Sequence, residues 1–277
     1  MTTSFALLLQ VALSTSDSGS FTASGIWYRV QGRGPAVLLV HGSNLDSRSL
    51  APVAAALSQT YRVIETDLRF HGRSRDGSGP FAFDRDMIDV LDAAHAERAT
   101  VIGHSLGAAV ALDMALAAPD RVERLVLIGP SIGGKAATRP PAGFEEIVKA
   151  LQANDLPQAG VALGRAPVMQ LMRDTTAQSL VRTMVAENVR LFRVDRTRVV
   201  PTGAPAVGRL EEIRVPLLAI LGSADPTEAA EAARELQARV PGARSETVPG
   251  CGHLMPLDCG PDLIRIVRSF LSEAPRR

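Results

Sequence analysis

Gly103-His104-Ser105-Leu106-Gly107 stands between a short apolar, β-prone run, Ala99 to Ile102, and a long alanine-rich run that opens at Leu106. This arrangement predicts a serine at the tip of a sharp strand-to-helix turn. Such a turn demands glycine two residues to either side, because side chains there would clash as the chain reverses. The serine itself is expected at positive φ, a strain that chains retain at working sites. G-x-S-x-G alone is short enough to arise by chance. With a strand before it and a helix after it, the pattern singles out an exposed serine nucleophile.

Strand-like and helix-like segments alternate around this turn, which predicts an α/β fold with a mainly parallel central sheet and helices on both faces. Strands are expected over Thr22–Val30, Ala36–Val40, Tyr61–Thr66, Leu125–Ile128, Pro216–Leu221 and Ser245–Val248. Helices are expected over Leu50–Leu57, Asp84–Ala96, Leu106–Ala118, Thr227–Val240 and Leu263–Leu271. Met87, Ile88, Leu91 and Ala94 make one buried stripe on the second of these. From Ser131 to about Gly208 the alternation fails, and helical stretches such as Phe144–Gln152 and Ala177–Phe192 replace it. The expected organisation is an N-terminal extension over 1–20, a core over 21–130 and 209–277, and a helical lid over 131–208.

Composition narrows the partners. The chain has 277 residues with 30 lysines and arginines against 29 acids, a net charge of +1 that gives no electrostatic case for nucleic acid. Arginines gather between Arg182 and Arg209 and read as a solvated helical face. No apolar run is long enough for a spanning helix. Phe5 to Leu13 is apolar, but Met1-Thr2-Thr3-Ser4 lacks the basic residues of a signal peptide, so a cytoplasmic setting is expected. In that setting the two cysteines, Cys251 and Cys259, should be free thiols, and a disulfide would accompany export.

A serine hydroxyl needs a base within hydrogen-bond reach. Of five histidines, His104 adjoins Ser105 but should point away from it, His95 ends a surface helix, and His41 and His71 organise loops at strand ends. His253 remains, in the glycine-rich loop Gly250-Cys251-Gly252-His253. A carboxylate must steady the base, and Asp225 follows the strand before that loop. Asp225 could instead cap the helix that starts after Pro226. Gly129-Pro130-Ser131, where a rival acid would stand, holds none. Backbone N–H groups of Leu106, at a helix N-terminus, and of Ser43, after His41-Gly42, are the expected donors to an oxyanion. The histidines lack metal-ligand spacing, and one cysteine pair cannot complete four ligands, so neither metal nor cofactor is expected.

His41-Gly42-Ser43, Asp67-Leu68-Arg69-Phe70-His71-Gly72-Arg73-Ser74, Gly103-His104-Ser105-Leu106-Gly107 and Gly252-His253, with the order Ser105, Asp225, His253, resemble the α/β-hydrolase superfamily, most closely its lid-bearing esterase and haloperoxidase-like branch. The resemblance spans about Phe21 to Leu271. It departs at Phe70, where the family usually has glycine, so that loop is expected to differ in shape.

The resemblance implies a cofactor-free serine hydrolase that cleaves small-molecule carboxylic esters, lactones included, through an acyl-enzyme. Ser105 is the nucleophile, His253 the base and Asp225 its support. A hydrolase of carbon–carbon bonds in 1,3-diketones would use the same triad with polar lid groups, for which Arg173 and Arg190 are candidates. A non-enzymatic ligand receptor on the same scaffold is the reading from another class. Phe144, Phe192, Met169, Met172 and Met184 are expected to fill the lid core rather than line a pocket.

Overall fold

Strand β3 (Ala36–Val40) is apolar throughout, and its side chains divide between two cores as the pleat requires. Leu38 and Val40 join one cluster, Val37 and Leu39 the other. Such two-sided burial marks a parallel strand covered on both faces. The computed structural model describes residues 18–135 and 142–273, and among them the sheet has eight strands in the order β1-β2-β4-β3-β5-β6-β7-β8. The remaining strands are β1 (Ser20–Phe21), β2 (Trp27–Gln31), β4 (Arg62–Thr66), β5 (Ala99–His104), β6 (Val122–Ile128), β7 (Leu217–Gly222) and β8 (Arg244–Val248). From β4 to β8 neighbours run parallel; β1 and β2 are antiparallel additions at one edge.

Helices cover both faces as expected. α1 (Ala51–Leu57) and α9 (Gly260–Ser272) bury Val53, Leu57, Leu263 and Val267 on one side. α2 (Phe83–Ala93), α3 (Leu106–Ala117) and α7 (Thr227–Arg239) bury Met87, Leu91, Leu112 and Leu236 on the other. The alanine content of α3 lets it lie close against the sheet, and a Cβ on Gly107 would stand 2.1 Å from the Val40 carbonyl oxygen.

The expected strand Thr22–Val30 is instead a hairpin. Gly25 turns the chain at φ +85°, and Thr22 ties it with backbone bonds to Gly25 and Ile26. The expected extension over 1–20 lies outside the described residues except for 18–20, of which Ser20 opens β1.

Between β6 and β7 the chain leaves the sheet for a helical insertion: α4 (Phe144–Gln152), α5 (Leu156–Arg165), α6 (Gln178–Glu187) and a run of 3-10 turns ending near Arg198. α5 has no counterpart in the sequence reading, because Gly160 and Gly164 weaken its helical pattern. Its start is nevertheless fixed by the Asp155 carboxylate, which caps the Gln158 N–H at 3.0 Å. Gly160 is a packing glycine, since a Cβ there would meet Val189 Cγ1 at 2.6 Å. The insertion has its own apolar core, including Ile147, Leu163, Val181 and Met184. Leu45, Leu254 and the short helix α8 (Met255–Asp258) from the sheet domain complete that core.

Two arginines of the 182–209 stretch, Arg190 and Arg198, tie the insertion down, whereas Arg182 and Arg193 are exposed, as a solvated face requires. Arg190 donates to the carbonyls of Phe70, Gly72 and Ser74 at 2.9–3.0 Å. Arg198 donates to those of Gly77 and Gly79. Among the described residues no helix is long and apolar enough to cross a membrane.

Candidate active site

β3 and β5 are neighbours, yet the chain leaves β3 for β4 on one side and returns to β5 on the other. Beyond the strand ends this reversal opens a crevice, the usual ligand position in open α/β sheets. Ser43 follows β3 there, and Ser105 follows β5.

Ser105 has φ +52° and ψ −112°, the strained conformation expected of the turn. The glycines explain themselves sterically. A Cβ on Gly103 would lie 2.2 Å from the Gly107 carbonyl oxygen, and one on Gly42 would lie 3.3 Å from the Cβ of Ser105. Two bonds fix the backbone of the turn. The Ser105 N–H donates to the Ile128 carbonyl at 2.9 Å, and the Ser131 hydroxyl donates to the Ser105 carbonyl at 2.8 Å.

His253 and Asp225 come together from loops after β8 and β7. Nδ1 of His253 stands 2.5 Å from Oδ1 of Asp225, whose side chain is 1% exposed. The other oxygen of Asp225 accepts the Gly222 N–H at 2.7 Å. The carboxylate can only accept from Nδ1, so the neutral ring carries its proton there and leaves Nε2 as a base. Pro226, not Asp225, is the N-cap of α7, and the carboxylate caps nothing. The helix-cap alternative for Asp225 therefore fails.

Ser105, His253, Ser43 and Leu106 all line one cavity of about 710 Å³ between the strand ends and the insertion. The Ser105 hydroxyl and Nε2 of His253 have no protein hydrogen-bond partner among the described residues. The Ser43 and Leu106 N–H groups likewise have no acceptor there, so four polar groups remain available around one space.

The other histidines are structural, as expected. His41 donates from Nδ1 to the Gly42 carbonyl and accepts the Leu68 N–H on Nε2. His71 donates to the Arg69 carbonyl and accepts the Asn44 N–H. His104 donates from Nε2 to the carbonyl of His253 at 2.9 Å, which ties down the loop that carries His253. Burial lowers the pKa of all three, those of His71 and His104 to about 3, so they stay neutral.

Of the apolar side chains expected in the insertion's core, Met169 belongs to that core and Phe192 packs against it, but both, with the exposed Phe144, also line the cavity. Met184 is fully buried away from it, and Met172 is exposed. Their helical spacing marks them as apolar lid positions but does not say what they face. Neither Arg173 nor Arg190 lines the cavity; among the described residues the insertion's arginine that does is Arg196. Arg173 instead reaches Asp262 at 2.8 Å and the sulfurs of Cys251 and Cys259. Those cysteines form a disulfide, contrary to the expectation of free thiols. Cys251 follows β8 and Cys259 precedes α9, so the bond closes the loop that carries His253.

The family model of the alpha/beta hydrolase family matches residues 37–265. The chain belongs to the alpha/beta hydrolase family. The chain is 28% identical to the esterase YbfF of Escherichia coli over 244 residues, which cover 86% of this chain and 93% of that one. A hydrolase from Pseudomonas aeruginosa PA01 superposes with a TM-score of 0.76 at 26% identity, covering 94% of this chain and all of that one. The enol-lactonase of Burkholderia xenovorans LB400, at 22% identity and a TM-score of 0.75, covers 92% of this chain and all of its own, and shares the fold. Phe70 takes φ +67°, the region suited to glycine, and its buried ring packs edge-on to Phe81 at 5.1 Å.

Proposed function

We propose that the protein is a serine hydrolase of carboxylic esters, lactones included, with Ser105 as nucleophile, His253 as base and Asp225 as the carboxylate behind it. The 2.5 Å contact of His253 Nδ1 with a buried Asp225, on the same cavity as a serine at φ +52°, carries this reading. An imidazole held in that tautomer by a buried anion can accept a proton on Nε2 and keep the resulting cation stabilised.

In the reaction, Nε2 removes the Ser105 proton as Oγ bonds to the substrate's carbonyl carbon. The carbonyl oxygen becomes an oxyanion, held by the N–H groups of Ser43 and Leu106. Collapse breaks the bond to the alcohol, which takes the proton from His253 as it leaves. Water then attacks the acyl-enzyme, gives its proton to His253, and releases the acid as Ser105 is reprotonated. Hydroxyl-to-imidazole contacts in unliganded sites are commonly long and tighten on substrate. The open Ser105 and His253 atoms fit that stage.

The helical insertion acts as a lid, and its apolar side chains around the cavity favour esters with an apolar acyl or alcohol group. The relative YbfF, an esterase, agrees with this chemistry. The carbon–carbon hydrolase alternative called for polar groups on the lid; its two candidates, Arg173 and Arg190, are committed elsewhere, and Arg196 is the lid arginine that lines the cavity. Ser105→Ala should abolish hydrolysis of p-nitrophenyl butanoate with the fold intact by circular dichroism, and a fluorophosphonate should label Ser105 alone. Undiminished turnover by Ser105→Ala would overturn the assignment.

A further inference from the structure

Asn188 closes α6 within the lid and is fully buried, yet every polar atom of its side chain and its carbonyl is used. Oδ1 accepts the Gly72 N–H at 2.6 Å. Nδ2 donates to the Met184 carbonyl at 2.8 Å and to Oδ2 of Asp46 at 3.2 Å. Its main-chain carbonyl accepts from Nδ2 of Asn44 at 3.1 Å. One lid residue thus holds both loops that leave the sheet beside Ser105, the loop after β3 and the loop after β4.

Asn44 is the next residue after Ser43 and takes φ +56°, a conformation that needs support from outside. It is held on several sides. Its N–H goes to His71, its Nδ2 to Asn188, and its Oδ1 receives the Ser43 hydroxyl at 3.0 Å. The direction of the Ser43 N–H depends on this arrangement, because one peptide unit separates it from Asn44.

We propose that Asn188 is a positioning residue: carried by the lid, it fixes the Asn44 turn and thereby aims the Ser43 N–H at the oxyanion. The inference rests on the ester-hydrolase reading above. It also makes the lid part of the catalytic frame at this end, with docking and oxyanion geometry coupled through one side chain.

The test uses p-nitrophenyl acetate, whose short acyl group keeps contact with the lid small, and a trifluoromethyl ketone that forms a tetrahedral adduct on Ser105. Asn188→Ala loosens a donor rather than removing it, so kcat should fall about tenfold with KM nearly unchanged. Affinity for the ketone should weaken by the same factor, which a merely structural role would not require. Asn44→Gly keeps the positive φ and deletes only the side chain, so it should lose kcat in the same way if Asn188→Ala fails to fold. Made in the Asn188→Ala background, where both fold, it should cost less than in the wild type. Unchanged kcat and ketone affinity in these variants, or a rise in KM alone, would overturn the proposal. If Ser105→Ala stays active, the ester-hydrolase reading has failed instead.

Discussion

Gly129 makes room for His253. A Cβ at position 129 would come within 2.9 Å of both Cε1 and Nδ1 of the imidazole, and 3.4 Å from Oδ1 of Asp225. Gly129 also sits at φ +51°, so any side chain there is strained before it meets the ring. Position 129 directly follows β6, where the sequence holds no acid to rival Asp225. Gly129→Ala should push the imidazole off line by a fraction of an ångström to an ångström, and misplacement on that scale costs about 10²-fold in kcat. Steady-state kinetics on p-nitrophenyl butanoate check this, and a variant within about threefold of wild type would show that the ring has slack.

The parts of the site legible in the sequence are those that local sterics dictate. Gly103, Gly107 and the strand and helix around Ser105 follow from the turn itself, and the order of loops carrying Asp225 and His253 follows from alternation. What stayed hidden depends on tertiary contact. Gly129, Ser131 and Asn188 belong to no motif, and each matters only because another element comes within a few ångströms. Phe144, Phe192 and Met169 were legible as apolar lid positions, but a helical stripe reads the same against a core or a cavity. α5 was missed because its two glycines, one of them needed for packing against Val189, look like loop signals. The cysteine pairing rested on an inferred compartment rather than on the short loop that brings the two sulfurs together.

The cavity should sort substrates by apolar length. Burying each methylene contributes about 0.8 kcal/mol, so kcat/KM should rise roughly fourfold per methylene from acetate until the space is filled. Val168 lines the cavity, and Val168→Phe should lower kcat/KM for p-nitrophenyl octanoate about tenfold while leaving the acetate ester near wild type. A series of p-nitrophenyl esters in both proteins reads this directly. Equal loss on acetate and octanoate would place the acyl group elsewhere.

Phe70 sets a backbone penalty against a packing gain. Holding a non-glycine residue in the left-handed region costs about 1–2 kcal/mol. Removing a buried phenyl ring costs about 3–5 kcal/mol. The ring is 3% exposed, against Phe81 and beneath the Arg198 guanidinium, so packing should win. Phe70→Gly should therefore destabilise the protein by roughly 2 kcal/mol despite relieving the strain, as read by urea denaturation. A neutral or stabilising result would mean that the ring contributes little and that the loop tolerates the glycine usual in the family.

The buried histidines set an acid limit on stability that can be isolated at one residue. His71 falls to about 3 from 6.5, first by burial and then by the neighbouring His41. It is neutral in the folded chain, whereas the unfolded chain takes up a proton below pH 6.5. Unfolding therefore binds a proton between pH 6.5 and 3, and the stability present above 6.5 is lost as pH falls through that window. The slope for one such group is about 1.4 kcal/mol per pH unit. Asp113 works in the opposite sense: burial, then the nearby Asp84, raises it to about 6 from 3.8. It keeps its proton in the fold, so its contribution is present below pH 3.8 and is lost as pH rises toward 6. The total profile between pH 4 and 6 mixes the two, but a comparison of variants separates them. His71→Gln retains an acceptor for the Asn44 N–H and cannot titrate. Its stability, whatever its value at pH 7.5, should decline less steeply than that of the wild type between pH 6.5 and 5. Parallel slopes in urea denaturation would mean that His71 is protonated in the folded chain, contrary to the two hydrogen bonds that hold it neutral.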